Sequence, residues 1–160
     1  MKVIIHSIKM AVLNKNWFAS LFLCLTLPDI CGAMENPASK NGERYRKWYN
    51  EYLAEKYKNL AADDCWKLRN ACLHQCSDSD ARMAFKRVHF VEPQEGMLIH
   101  NNILHDVLQL QIDVFCNDFC DAVDKWLVRM ENQPEIMDRI KELMQIHPFS
   151  SLEPFIKFNK

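Results

Sequence analysis

Glycine is nearly missing from this chain, with three residues in 160, at positions 32, 42 and 96. Spacing that wide leaves no glycine-rich loop to cradle a phosphate, which removes the P-loop and dinucleotide-binding classes. Proline is sparse as well: there are six, and only Pro28 comes before Pro37. Long stretches without breakers favour helices. Neither sign of charge is in excess, since 20 lysines and arginines face 21 aspartates and glutamates, for a net charge of −1. A broad electrostatic grip on nucleic acid is therefore excluded, and any RNA contact must come from a local patch. Internal repeats and low-complexity tracts are absent too. What remains is 49% apolar and 26% charged, the balance of one globular domain over residues 1–160 with a real core.

Cysteine breaks the pattern of scarcity. The seven residues, at 24, 31, 65, 72, 76, 116 and 120, are odd in number, so a fully paired disulfide framework leaves one over. Several fall at apolar helical positions, where a free thiol behaves as a small hydrophobe. A reducing, cytoplasmic setting is the expectation. Cys72 and Cys76 are four apart, as are Cys116 and Cys120, and two such pairs could offer four thiolates to zinc. Helical cysteines at that spacing are unusual ligands beside the short-loop knuckles zinc prefers, so no metal and no cofactor are assigned.

The amino-terminal region imitates a signal peptide. Lys2, Lys9 and Lys15 precede an apolar run from Trp17 to Leu27, and Cys31-Gly32-Ala33 resembles a cleavage site. Against export, the apolar core starts late, Pro28-Asp29 follows it, and Ile4, Ile5, Ile8 and Val12 already form a helical stripe. The run is also too short to cross a bilayer. The reading is a buried amino-terminal helix with no membrane partner; an exported disulfide protein is the competing one.

Along the chain, Val3–Leu13 reads as a short helix, with Asn16 as the cap of a second. That second helix, Trp17–Leu27, is apolar nearly all round, which marks the centre of a bundle, and it ends at Pro28 or a turn beyond Gly32. Residues 35–42 form a loop. Glu43–Lys58 places Tyr45, Trp48, Tyr49, Tyr52, Leu53 and Tyr57 at three-and-four spacing, with Arg44, Arg46, Lys47, Lys56 and Lys58 on the other side. Such a stripe is more often core than a base-stacking platform. Asp63 or Asp64 caps the next helix, which runs to about Gln75 before Ser77-Asp78-Ser79-Asp80 breaks it.

Lys86–Val91 reads as a strand, and Met97–His100 as its return in a small hairpin across the turn at Pro93–Gly96. Asn102–Met130 reads as the longest helix, with His100 and His105 flanking its start. Pro134 opens a last helix to Ile146, which His147-Pro148 ends. The apolar tail Phe149–Lys160 is expected to dock on the bundle or a partner. The fold class is an all-α, up-and-down helical bundle with a small hairpin or irregular insert near residues 86–100.

The residues that carry chemistry are in the segment Arg69-Asn70-Ala71-Cys72-Leu73-His74. Arginine grips a phosphate through its planar fork of donors, and histidine moves protons near neutral pH. Five residues apart, the two side chains point about 140° apart on an ideal helix, so bending of a late turn and the long arginine arm must bring their heads together. The plain alternative is an arginine on a solvated face and a histidine bonding the last carbonyls of its helix. Arg82 and His89 form a second, looser pair, but Met83 follows Arg82 and His89 falls on the strand. Asp29 reads as a carboxylate in a turn after proline, with a pairing to Arg69 as the alternative.

The pattern Arg-polar-x-x-x-His resembles the signature of the HEPN superfamily, small all-helical proteins of which many are metal-independent ribonucleases. Beyond the motif, Asn16–Gly32, Leu68–His74 and Val107–Leu127 are similar to a bacterial group within that superfamily. The resemblance implies an endoribonuclease that cuts by attack of a ribose 2′-hydroxyl on the adjacent phosphate. It implies that His74 moves a proton, Arg69 holds the phosphate and Asn70 orients a phosphate oxygen or the imidazole. It further implies a homodimer that joins two motifs in one cleft, RNA as partner, and a toxin or phage-defence setting in which a cognate inhibitor protein would be a partner as well. Cys76 stands where some toxin members carry a tyrosine that a partner nucleotidyltransferase modifies, so that form of neutralisation is not implied. The rival reading is a non-catalytic, HEPN-like interaction or dimerisation module.

Overall fold

The structure is a computed structural model that describes residues 1–148. In chain order its elements are α1 (Lys2–Leu13), α2 (Trp17–Glu35), α3 (Asn41–Tyr52), α4 (Ala62–Gln75), β1 (Arg87–Val91), β2 (Asn102–Leu104), β3 (Val107–Gln111), α5 (Ile112–Met130) and α6 (Pro134–Lys141). The expected predominance of helix holds, but the class is not purely all-α: among the described residues, six helices are joined by a three-stranded sheet and not by a hairpin insert alone.

α2 is the axis of the bundle and touches α1, α3, α4, α5 and α6. The Asn16 side chain accepts from the Ala19 N–H at 3.4 Å and starts the helix there. Of the two expected ends the later one holds: Pro28 sits inside the helix and α2 continues to Glu35, about a turn beyond Gly32. Proline removes one ladder bond and crowds the preceding turn. Packing from five neighbouring helices outweighs that cost. The longer α2 spans roughly 28 Å at 1.5 Å per residue, so by length and composition alone it could cross a membrane, contrary to the reading from Trp17–Leu27. Here it is packed within the bundle, with Cys24, Leu25, Leu27 and Cys31 fully buried.

Gly32 is required where α2 meets α3. A Cβ there would lie 2.8 Å from the Arg44 carbonyl oxygen, which is backbone and cannot swing aside. The missing side chain lets α3 pack close and sets the position of Arg44. α3 itself ends at Tyr52, short of Lys58, and the chain continues in turns that still bury Leu53, Tyr57 and Leu60. The aromatic stripe is core: Tyr45, Trp48, Tyr49 and Tyr57 are all buried against α5's Phe115 and Phe119 or their neighbours. Those rings are therefore not a platform for bases. Ala61, not Asp63 or Asp64, is the N-cap of α4; both carboxylates fall in its first turn, where they favour the helix dipole and pair with Lys67.

The region read as a long helix from Asn102 divides in two. Val107–Gln111 buries Leu108 and Leu110 in alternation and forms the central strand, parallel to β1 and antiparallel to β2. Only from Ile112 does the helix begin. The hairpin is β2–β3, and its two-residue turn is His105-Asp106, with φ of 49° and 63°. Positive φ at both central residues is what primed hairpin turns demand. Met97–His100 is no strand; Met97 makes only an isolated bridge to Gln94 around Gly96. His100 and His105 consequently flank β2 and not a helix start. α6 stops at Lys141, earlier than Ile146, and the tail Phe149–Lys160 lies outside the described residues.

One polar cluster is built into the core. Asp118 of α5 accepts from Lys56 and, at 2.7 Å, from the Tyr57 hydroxyl. The His100 ring lies 3.8 Å from the same carboxylate. Burial holds the imidazole below its ordinary pKa, with Asp118 opposing that shift. The buried thiols respond to the same physics: burial pushes Cys65, Cys72 and Cys120 up to about 12, so they pack as neutral groups.

Two outcomes are expected from this architecture. Gly32→Ala should destabilise the protein by about 1–3 kcal/mol in urea unfolding, because backbone and not a flexible side chain must give way. Below pH 6.5, the unperturbed histidine value, an unfolded His100 takes up a proton that the folded one resists, so stability falls with falling pH through that window. His100→Gln should flatten this acid limb of a stability–pH curve; an unchanged slope would assign it elsewhere.

Candidate functional site

Extension of α2 beyond Pro28 carries Asp29 onto the helix flank, where α3 and α4 both reach it. The Arg44 Nε donates to Asp29 Oδ1 at 2.9 Å, and the Arg69 Nη2 approaches Asp29 Oδ2 at 3.5 Å. All three side chains are largely buried, at 14–17% exposure. Two guanidinium groups therefore share one carboxylate, and the trio keeps one net positive charge in a setting that solvent screens weakly. Arg69 is held further by its neighbours. Its Nη1 donates to Asn70 Oδ1 at 3.0 Å, and the guanidinium lies 5.2 Å from the centre of the Trp66 ring.

His74 completes the group. Its Nε2 lies 3.5 Å from the same Arg69 Nη1, and its ring is exposed in the last turn of α4. Arginine has no acceptor, so this contact is a hydrogen bond only when Nε2 carries no proton. α4 is α-helical through to Gln75. The arginine's arm, and not a bent turn, closes the gap between the two heads.

Directly after His74 the helix ends in a left-handed cap at Cys76, with φ 51° and ψ 38°. Cys76 and Ser77 donate back to the Cys72 and Ala71 carbonyls at 3.1 Å each, satisfying two helix-end acceptors.

Sequence reasoning named Arg69, Asn70 and His74, and the three side chains lie together. It read Asp29 first as a turn carboxylate; the carboxylate is helical and paired with Arg69. Arg44 was missed as a member. Its only sequence signal is its place on the charged side of an aromatic helix, which it shares with Arg46, and Arg46 goes instead to Asp63 at 2.7 Å. The second arginine–histidine pair stays apart: Arg82 is bound twice by Asp80, while His89 stands on β1. The cysteine pairs do not make a zinc site: Cys76 is exposed at its helix cap while Cys72 is buried, and among the described residues no three His, Cys, Asp or Glu side chains converge.

The fold and site thus define a helical bundle with a small sheet and an Arg–Asn–His cluster braced by an acid–arginine pair. Searches against protein-family models, curated proteins and solved structures find no match for the chain.

Removing the brace should be costly. Asp29→Ala leaves two largely buried cations side by side and is expected to lower stability by about 2–3 kcal/mol, somewhat less than for a fully buried pair. A double-mutant cycle of Asp29→Ala with Arg44→Ala, read by urea unfolding, should show coupling of at least about 0.5 kcal/mol. Strict additivity would mean that the contact contributes nothing.

Proposed function

We propose that this protein is a metal-independent endoribonuclease of the HEPN type, with Arg69, Asn70 and His74 as its catalytic residues. The observation that carries this reading is the Arg69 guanidinium, fixed by Asp29 and Asn70 and set 3.5 Å from an exposed imidazole. A phosphate docked on Arg69 is within reach of a group able to move protons.

In the reaction, the ribose 2′-oxygen forms a bond to the adjacent phosphorus and gives its proton to a base. The bond from phosphorus to the 5′-oxygen breaks, and an acid delivers a proton to that leaving group. Arg69 stabilises the extra negative charge on the phosphoryl oxygens in the transition state. Arg44 supports the same charge at longer range and keeps Asp29 from neutralising Arg69. One chain supplies one histidine, whereas the step needs a base and an acid. A homodimer that sets two copies of His74 about one cleft meets that need. A net charge of −1 suits a target chosen by shape over one gripped by bulk electrostatics.

The packing of α2 inside the bundle supports a water-soluble protein, and a toxin or phage-defence role against RNA in the cytoplasm is the setting proposed. The second reading is a non-catalytic interaction module. The exposed apolar side chains Val3, Leu13 and Phe18 favour it, since such groups bind protein partners.

The decisive experiment incubates the full chain with RNA in the presence of a chelator and looks for products with 2′,3′-cyclic phosphate ends. His74→Ala should reduce cutting at least 100-fold with fold and dimer unchanged, and growth arrest on expression should be relieved. Cutting that survives His74→Ala, or a monomer fully active at high dilution, would refute the assignment.

A further inference from the structure

One cavity of the described residues lies beyond the cluster and has no part in the reaction above. Its volume is about 690 Å³, and it opens between the start of α2, the end of α4 and strand β1. The left-handed cap at Cys76 directs the chain from His74 into its wall, since Cys76, Ser77 and Asp78 all line it. Along α4, Arg69 and Cys76 are roughly 10 Å apart at 1.5 Å per residue. A nucleotide next to a phosphate held on Arg69 would have about that distance to span to enter this cavity.

The lining suits a base better than a phosphate. Trp17, Phe18 and Phe90 present aromatic surface, and Phe18 is 69% exposed, its ring edge-on to Phe22. The cation of the cavity is already spent, because Arg87 lies 3.5 Å from Asp78. Glu92 is left as a carboxylate without an ion pair among the described residues. With Asp78 paired, Glu92 is the unopposed charge; it repels a phosphate but accepts hydrogen bonds from the amino group of a base. Aromatic faces take bases by stacking, worth about 1–3 kcal/mol each. Charge therefore divides the strand between two places, with the phosphate at the arginines and the base in the groove.

We propose that the cavity between α2, α4 and β1 is a nucleobase subsite for the RNA residue next to the scissile phosphate, stacking it on Phe18 and Trp17 and preferring amino-bearing bases through Glu92. This rests on the ribonuclease reading for its substrate, but it is read by binding and needs no cleavage.

Cys76 supplies a handle, being the one exposed cysteine of the seven. The full chain carrying His74→Ala is titrated with inorganic phosphate, 5′-UMP, 5′-CMP and 5′-GMP, by calorimetry or amide chemical shifts. CMP and GMP should bind roughly tenfold more tightly than inorganic phosphate, the gain expected from one stacked base. Alkylation of Cys76 with a maleimide, or Phe18→Ser at an exposed position, should erase that gain and leave phosphate binding unchanged. Glu92→Gln should bring CMP down to UMP.

Equal affinity for phosphate and all nucleotides overturns the subsite, as does a gain that survives both the alkylation and Phe18→Ser. Protection of Cys76 from the maleimide by a bound polypeptide but not by nucleotide also overturns it, and makes the groove a protein-docking site. Failure of the ribonuclease reading looks different: RNA cutting by the unsubstituted chain is then absent or indifferent to His74→Ala, whatever the nucleotides do.

Discussion

One carboxylate ties together the end of the bundle that carries Arg69 and His74. Asp29 takes Arg44 from α3 on one oxygen and Arg69 from α4 on the other, so three helices meet on a single anion. Without it two guanidinium groups would face each other in a poorly solvated corner. With it Arg69 is held by several contacts, and its head is placed beside His74 at no further entropic cost. That preordering is what a phosphate-binding group needs, because side-chain freedom lost in advance is not lost again on binding.

The brace depends in turn on how closely the helices approach. Gly32, one helical turn from Asp29, admits the α3 backbone where any side chain would meet the Arg44 carbonyl. Buried cysteines and leucines along α2 share one core with the residues of α5. The buried thiols contribute shape and no charge, since burial raises Cys24, Cys31 and Cys65 above the ordinary thiol range. The contrast with Cys76, exposed at the end of α4, separates a packing cysteine from an accessible one within a single helix.

Much of the helical frame was legible because it rests on local signals. Asn16 before an apolar run, the three-and-four spacing of Tyr45, Trp48, Tyr49 and Tyr52, and Pro134 at a helix start each act within a turn or two of chain. The misread segments are those where distant partners override the local pattern. Pro28 leaves two helix ends open in the sequence, and five packed helices carry α2 to the later one. Val107–Gln111 fits a helical face as well as a strand, and only pairing with β1 and β2 decides between them. The turn at His105-Asp106 lacks glycine and so conceals a hairpin whose conformation glycine ordinarily marks.

The order of residues by itself placed an arginine, an asparagine and a histidine within one helical segment, left no glycine-rich phosphate loop, and supplied too little net positive charge for a broad nucleic-acid surface. Those properties are local or additive, so they follow from spacing and composition. Tertiary structure alone decided that Arg69 shares Asp29 with Arg44, that His74 faces solvent, and that a cavity opens beyond Cys76. Contacts between residues 15 to 40 positions apart depend on how whole helices pack. No periodicity along the chain encodes that packing.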